Sequence, residues 1–360
     1  MPLTLMRGSC RKYLGRRAAF SLTTGLLHGV VLALALALSP WGCGAAGGAV
    51  AADRSTDPEV VAAQARAAEQ RGDFETAIQR WEAASQLYTA RKNHAGAAAA
   101  FAGWAHAGRT LGFYELAAGA AGKAGAAAAH ADGRAQARAG HAAGAVAAGL
   151  GRPGAETMLT GALALAETVG DAGLGAEILA SLGDAHAARK EWAKAGNYFT
   201  RAAARAEQAG NAAQQGLALA RKANADLRQS GDVAFALETG ARAERLASGL
   251  AASHNKTLIF LVLGGVEERA GAGPAKTSEL AGGPPALRGG EARARYEAAL
   301  RTATECGDVR SRSLALGHLG EIALAAKQPA EALEFSQQAA FEAQRGNLVD
   351  VVYRWHWSAA

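Results

Sequence analysis

The chain has 360 residues, half of them hydrophobic but only 6% aromatic, with 45 Gly, 96 Ala and 8 Pro. That balance excludes a disordered polar chain, and Gly without a three-residue period excludes collagen. Three cysteines cannot build a disulfide scaffold. The net charge of +6 and the pI of about 9.4 would invite an anionic partner, so their source matters first.

That source is the leader. Residues 1–52 hold Arg7, Arg11, Lys12, Arg16 and Arg17, and no acid. After Arg17 no Asp, Glu, Lys or Arg occurs until Asp53, and the stretch is most apolar over Leu26–Leu38. A basic front, an apolar stretch and a small-residue exit at Ala49-Val50-Ala51 read as a signal peptide. Uncleaved, the same stretch is long enough to anchor the chain in a membrane. Arg16-Arg17-Ala18-Ala19-Phe20 approaches a twin-arginine signal with Phe20 one place late, and Cys43 follows a poor lipobox. The remainder carries 33 Lys+Arg against 32 Asp+Glu, a net charge of +1. The basic character is therefore an address, and no nucleic-acid partner follows from it. The expected location is periplasmic or extracellular, with membrane contact only through a retained or lipidated leader. Past the leader Cys306 is alone, and it reads as a small, semi-buried residue near a helix end.

From residue 53 the chain repeats. Ala77, Trp81 and Ala84 form a small-large-small frame that returns as Ala195, Phe199, Ala202 and as Ala292, Tyr296, Ala299. Weaker copies centre on Ala117, Ala155, Ala236 and Ala332. The spacings of these lead alanines are 40, 38, 40, 41, 56 and 40 residues. Twelve residues upstream of six of them stands Ala65, Ala105, Ala143, Gly183, Asn224 or Gly320, and Gly264 stands 28 upstream of Ala292, across the insertion. Two helices cross closely only where side chains are small, and a large neighbour fills the groove beside the crossing.

This arrangement resembles the tetratricopeptide repeat, over residues 57–347. The resemblance implies an all-α fold, a right-handed superhelical solenoid of antiparallel helix pairs. The period is about 40, giving seven units plus a partial eighth. Gly170-Asp171, Gly210-Asn211, Gly307-Asp308 and Gly346-Asn347 punctuate it, a left-handed Gly closing one helix and Asp or Asn capping the next. Pro58 opens the first helix, and Pro153 and Pro329 lie in turns before second helices. Residues 118–150 carry almost no large apolar side chain and should form the loosest part. Residues 270–290, rich in Gly and Pro, read as a disordered insertion.

Residues 348–360 begin the first helix of an eighth unit and end inside it. Without a covering second helix, Val351, Val352, Tyr353, Trp355 and Trp357 are expected to leave an apolar surface exposed. Tyr353-Arg354-Trp355-His356-Trp357 resembles a Tyr-Arg-Trp-x-Trp segment late in the repeats of bacterial CHAT-domain proteins. That resemblance implies a following caspase-like domain with a His and a Cys. No such domain is in this sequence, so no catalytic residue carries over.

No phosphate loop, dinucleotide fingerprint or His-Glu-x-x-His occurs. His186 near Asp184 reads as a solvated pair, and the scattered histidines show no ligand spacing for a metal. Neither cofactor nor enzymatic activity is expected. In such solenoids the first helix of each pair lines the concave groove, and residues one or four after its small residue face it. Here those include Arg66, Glu69, His106, Arg109, Asp184, Arg228, Glu268 and Glu321. Charged rows of this kind hold a protein or peptide ligand. The expected function is an exported, non-enzymatic binding scaffold. The competing readings are the regulatory front of a CHAT-type protease and an envelope-assembly repeat protein.

Overall fold

A computed structural model describes residues 55–272, 285–348, 351, 352, 354 and 355. The leader and its exit lie outside the described residues. Among the described residues the secondary structure is fourteen α-helices and no strand. They are α1 (Pro58–Arg71), α2 (Phe74–Ala90), α3 (His94–Thr110), α4 (Tyr114–Ala128), α5 (Gly133–Gly149), α6 (Ala155–Thr168) and α7 (Ala172–Ala188). Next come α8 (Trp192–Gln208), α9 (Ala212–Ser230), α10 (Val233–Ser248), α11 (His254–Ala272), α12 (Pro285–Cys306), α13 (Val309–Ala325) and α14 (Pro329–Arg345). These are the seven expected helix pairs. Each helix packs on its sequence neighbours, and α3 also meets α5, as α9 meets α11, which is the stacking of a solenoid. None of the described helices is long and apolar enough to cross a membrane.

The small-large frame is the core. Ala77, Trp81 and Ala84 are buried, as are Ala195, Phe199, Ala202 and Ala292, Tyr296, Ala299. At Gly183 an added Cβ would stand 2.5 Å from the Phe199 ring, and at Gly264 it would stand 2.5 Å from Tyr296. The third unit shifts by one residue: Ala143 is half-buried, and Gly144 meets Leu159 instead. In the fifth unit Asn224 accepts from Arg228 and Arg269, while Ala223 and Ala225 take the buried places.

The punctuation follows the chain's dipeptides. Gly170, Gly210 and Gly307 adopt φ of 68°, 66° and 82°. Asp171, Asn211 and Asp308 then accept the backbone N–H of Leu174, Gln214 and Ser311. The fourth pair departs from this. Gly346 has φ −87°, and Asn347 takes the left-handed place at φ 50°. Asn tolerates that region because its short amide can bond locally.

Two further expectations change. Helices reach into both ends of the 270–290 segment, since α11 runs to Ala272 and α12 starts at Pro285. Residues 273–284 lie outside the described residues. The expected exposed apolar terminus is also corrected. Leu348, Val351 and Trp355 are buried, Trp355 at 0% exposure. Its indole Nε1 donates to Ser313 Oγ at 3.0 Å, and its ring lies over Gly317, where a Cβ could not fit. The Trp that carries the CHAT resemblance thus has a packing role here. Tyr353, His356 and Trp357 lie outside the described residues.

The superhelix returns on itself. Helix α1 touches α11. Leu111, at the end of α3, packs against the cluster of Leu316, Leu348 and Trp355. The sixth and seventh pairs therefore come back over the first two.

The interlock yields a paired prediction. Ala is a better helix former than Gly by about 1 kcal/mol. In α4, Gly122 has open space around its missing Cβ, so Gly122→Ala should stabilise by about 0.5–1 kcal/mol. Gly183→Ala gains the same propensity but drives a methyl into Phe199, and overpacking costs about 1–3 kcal/mol. Urea unfolding should therefore move the two midpoints in opposite directions. The alanine-only cluster of Ala98, Ala124, Ala128, Ala135 and Ala139 supports the second prediction. Amides of residues 118–150 should exchange faster than those of 177–205, and equal protection would refute a soft middle.

Candidate functional site

The residues expected on the inner face stand on the first helices of their pairs. On α1, Arg66 lies over the Trp81 ring at 5.9 Å, and Glu69 accepts from Trp81 Nε1 at 3.0 Å. The same device recurs five units on, where Glu268 accepts from Tyr296 Oη at 3.0 Å. In both units the residue four after the small position faces its own pair's aromatic ring. These carboxylates orient the core aromatics.

The centre of the face joins four helices. His106 and Arg109 come from α3, His141 from α5, Asp184 from α7 and Arg221 from α9. Arg221 bridges to Asp184 at 3.1 Å, and His141 Nε2 lies 2.8 Å from Ser181 Oγ. Gln214 donates to Glu177 Oε1 at 2.8 Å. Arg109 lies within the field of Asp184 and Arg221, but its guanidinium makes no hydrogen bond or ion pair among the described residues.

Crowding inside the superhelix sets the protonation states. His106 reaches solvent, yet neighbouring helices strip much of its hydration. That desolvation, with the Arg109 charge, lowers its pKa to about 3. His141 falls to about 4 for the same two reasons. Both rings are neutral at pH 7. Burial raises Glu69 to about 7; the Trp81 hydrogen bond opposes the shift, and the Glu177 charge adds to it. Burial likewise lowers Arg109 and raises Glu177.

The remaining expected residues lie apart from this centre. Arg228 stacks on Trp192 at 4.7 Å and donates to Asn224. Glu321 accepts from His318 Nδ1 at 2.8 Å and from Arg354 at 3.2 Å. Burial alone would raise Glu321, but those two partners hold it below the ordinary carboxylate range. Arg138, whose charge acts on Glu177, and His141, Glu177, Ser181, Gln214 and Arg221 were missed from sequence. Their signal was present: 138 and 141, 177, 181 and 184, and 214, 221 and 228 are stripes of three, four or seven residues along one helix face.

His186 is a correction. It is buried rather than solvated, stacks on Tyr198 at 5.1 Å, and places Nδ1 2.5 Å from Glu191 Oε2. Glu156, from the preceding pair, stands 3.5 Å from its Nε2. Among the described residues no group of His, Cys, Asp or Glu could hold a metal ion. Cys306 is the buried last residue of α12, and burial raises its thiol pKa.

No protein-family model and no curated protein matches the chain. The likeness lies among solved structures. One is a Rap protein complexed with Competence and Sporulation Factor, with 14% identity over 84% of this chain and 73% of that one, at a TM-score of 0.52. Another is a Signal Transduction ATPase with Numerous Domains from Pyrococcus horikoshii, which has a tetratricopeptide repeat sensor. It shares 13% identity over 84% of this chain and 44% of that one, at a TM-score of 0.54. This chain thus spans less than half the length of that protein. The likeness is one of fold: a helical solenoid of the tetratricopeptide type.

The raised carboxyls predict a pH dependence. Glu267, half-buried beside Glu291, is raised by desolvation and by that neighbouring charge to about 7 against an ordinary 4.5. The folded state keeps protons that the unfolded chain releases. The contribution of these two carboxyls to stability is therefore full below about pH 4.5 and is lost as pH rises through 7. Glu69→Gln keeps an acceptor for Trp81 and removes one titration. At pH 8 it should stabilise by roughly 1–3 kcal/mol in thermal unfolding, and at pH 4 it should match the parent.

Proposed function

We propose that the chain is a non-enzymatic scaffold that holds an extended protein or peptide segment against its inner face, with Arg109 anchoring an acidic group of that ligand. The observation that carries this reading is Arg109 itself. A crowded guanidinium without a hydrogen-bonded counter-ion is unfavourable, and a ligand carboxylate relieves it through paired charge-assisted bonds. Neutral His106 and His141 flank the anchor and add hydrogen-bonding groups without adding positive charge. The likeness in fold to the Rap protein, solved in a complex, supports a binding role.

A panel of labelled random-sequence peptides with free acidic ends, read by fluorescence anisotropy, tests it. Arg109→Ala should weaken the best binders at least about tenfold, or 1.4 kcal/mol. Arg228→Ala should change little, because that cation is already stacked on Trp192. Binders indifferent to Arg109→Ala would overturn the inner-face reading.

We also propose export through the leader; N-terminal sequencing of the mature protein should then begin near Ala52. The phrase Tyr353–Trp357 supports a relation to the repeat part of CHAT-type proteins. A caspase-like His and Cys domain in the codons after 360 would establish it. For an envelope-assembly role, the leader would have to keep the protein in the membrane fraction.

A further inference from the structure

The seam between the first and the returning pairs contains a polar contact that the binding role does not use. Asp308, between α12 and α13, is fully buried. Its Oδ1 accepts the Ser311 N–H and caps α13, which leaves Oδ2 for a second partner. That partner is His254 Nδ1, at 2.6 Å, on the first residue of α11. The other side of the seam is the turn between α1 and α2. Gly72 has φ 78° and presses its backbone against the Asp308 carboxyl, where a Cβ could not fit. Phe74 is buried and meets the His254 ring edge-on at 4.9 Å and 83°. Its ring also lies 6.3 Å from His106, edge to face. A contiguous row of His106, Phe74, His254 and Asp308 therefore runs from the inner face to the seam.

We infer that this seam is a latch, with the His254–Asp308 pair forming the seat on which Gly72 and Phe74 close the superhelix, and Phe74 transmitting its state to the inner face at His106. The inference rests on the inner-face reading only for its purpose, since the latch itself is a property of the unliganded chain. Three facts support it beyond simple packing. The seam contact, of Gly72 on Asp308 and of Phe74 on His254, joins units five repeats apart, so it fixes the width of the inner face rather than the local pair. It uses a buried carboxylate, whose pairing is directional. It also requires Gly at 72 twice over, for its left-handed backbone and for the close approach.

The test uses the full chain with its three cysteines replaced by serine. Spin labels go on the exposed positions Gln70 and Thr304, after their conversion to cysteine, and dipolar spectroscopy reads the distance across the seam. Asp308→Asn keeps an N-cap for α13 but weakens the bond to His254. His254→Phe keeps a ring against Phe74 and removes that bond entirely. Both should add a longer distance component and speed amide exchange of residues 72–77 about tenfold, with unchanged helix content. Exchange around 103–109 on α3 should rise with it. An unchanged distance and unchanged exchange in both variants would overturn the latch. An open seam with α3 unaffected would overturn the link to His106. If Asp308→Asn loses helix content, His254→Phe, which touches no cap, decides. Since no ligand is added, the result is independent of the peptide-binding test.

Discussion

One steric rule governs this chain: a helix surface gives up its own side chain so that a neighbour's large one can enter. Phe199 needs Gly183, Tyr296 needs Gly264, and Trp355 needs Gly317. Each such pairing sets how close two axes come, and therefore the tilt of one pair on the next. The spacing of the first helices follows from these crossings. Glu69 and Glu268 make the link explicit, because the groove-side carboxylate bonds the same aromatic that fills the crossing. Core packing and binding surface share atoms, so a change to either is felt by both.

The packing is not uniform along the array. One cluster of buried side chains spans the first helices around Trp81, Tyr88 and Trp104, and a second extends from Leu159 through Leu182 to Ile259 and Leu263. Between them the contacts are mostly methyl on methyl. Repeat arrays gain stability from units and their interfaces separately. Two firmer blocks joined by a softer interface follow from that distribution, and the seam contact closes the blocks upon each other from the far side.

The period, the interlock and most caps were legible in the sequence because each depends on residues within one unit. What escaped depends on side chains that approach from other helices, which no pattern within one helix shows. His186 reads as solvated beside Asp184, but Glu156, thirty residues earlier, and Tyr198, from the second helix, enclose it. Trp355 reads as exposed because its partner Ser313 stands 42 residues upstream. Likewise Ala143 and Asn224 kept the twelve-residue spacing while the true crossing moved one place, since only the facing side chain decides which position must be small. The cluster around Arg109 was half legible: the one-and-four rule named Arg109 and Asp184. Arg221 and His141 became visible only when the stripes of neighbouring helices converged.

The alanine-lined interface has a thermal consequence. The heat capacity released on unfolding follows the apolar area exposed, and a buried methyl contributes little beside a Trp or a Leu. The free energy holding α4 against α5 should therefore vary weakly with temperature, while the aromatic and leucine blocks on either side follow strongly curved profiles. On cooling, the large-residue blocks lose hydrophobic stabilisation faster than the joint between them does. The rank order of firmness along the array is thus a property of temperature, and the array is most evenly stiff when cold.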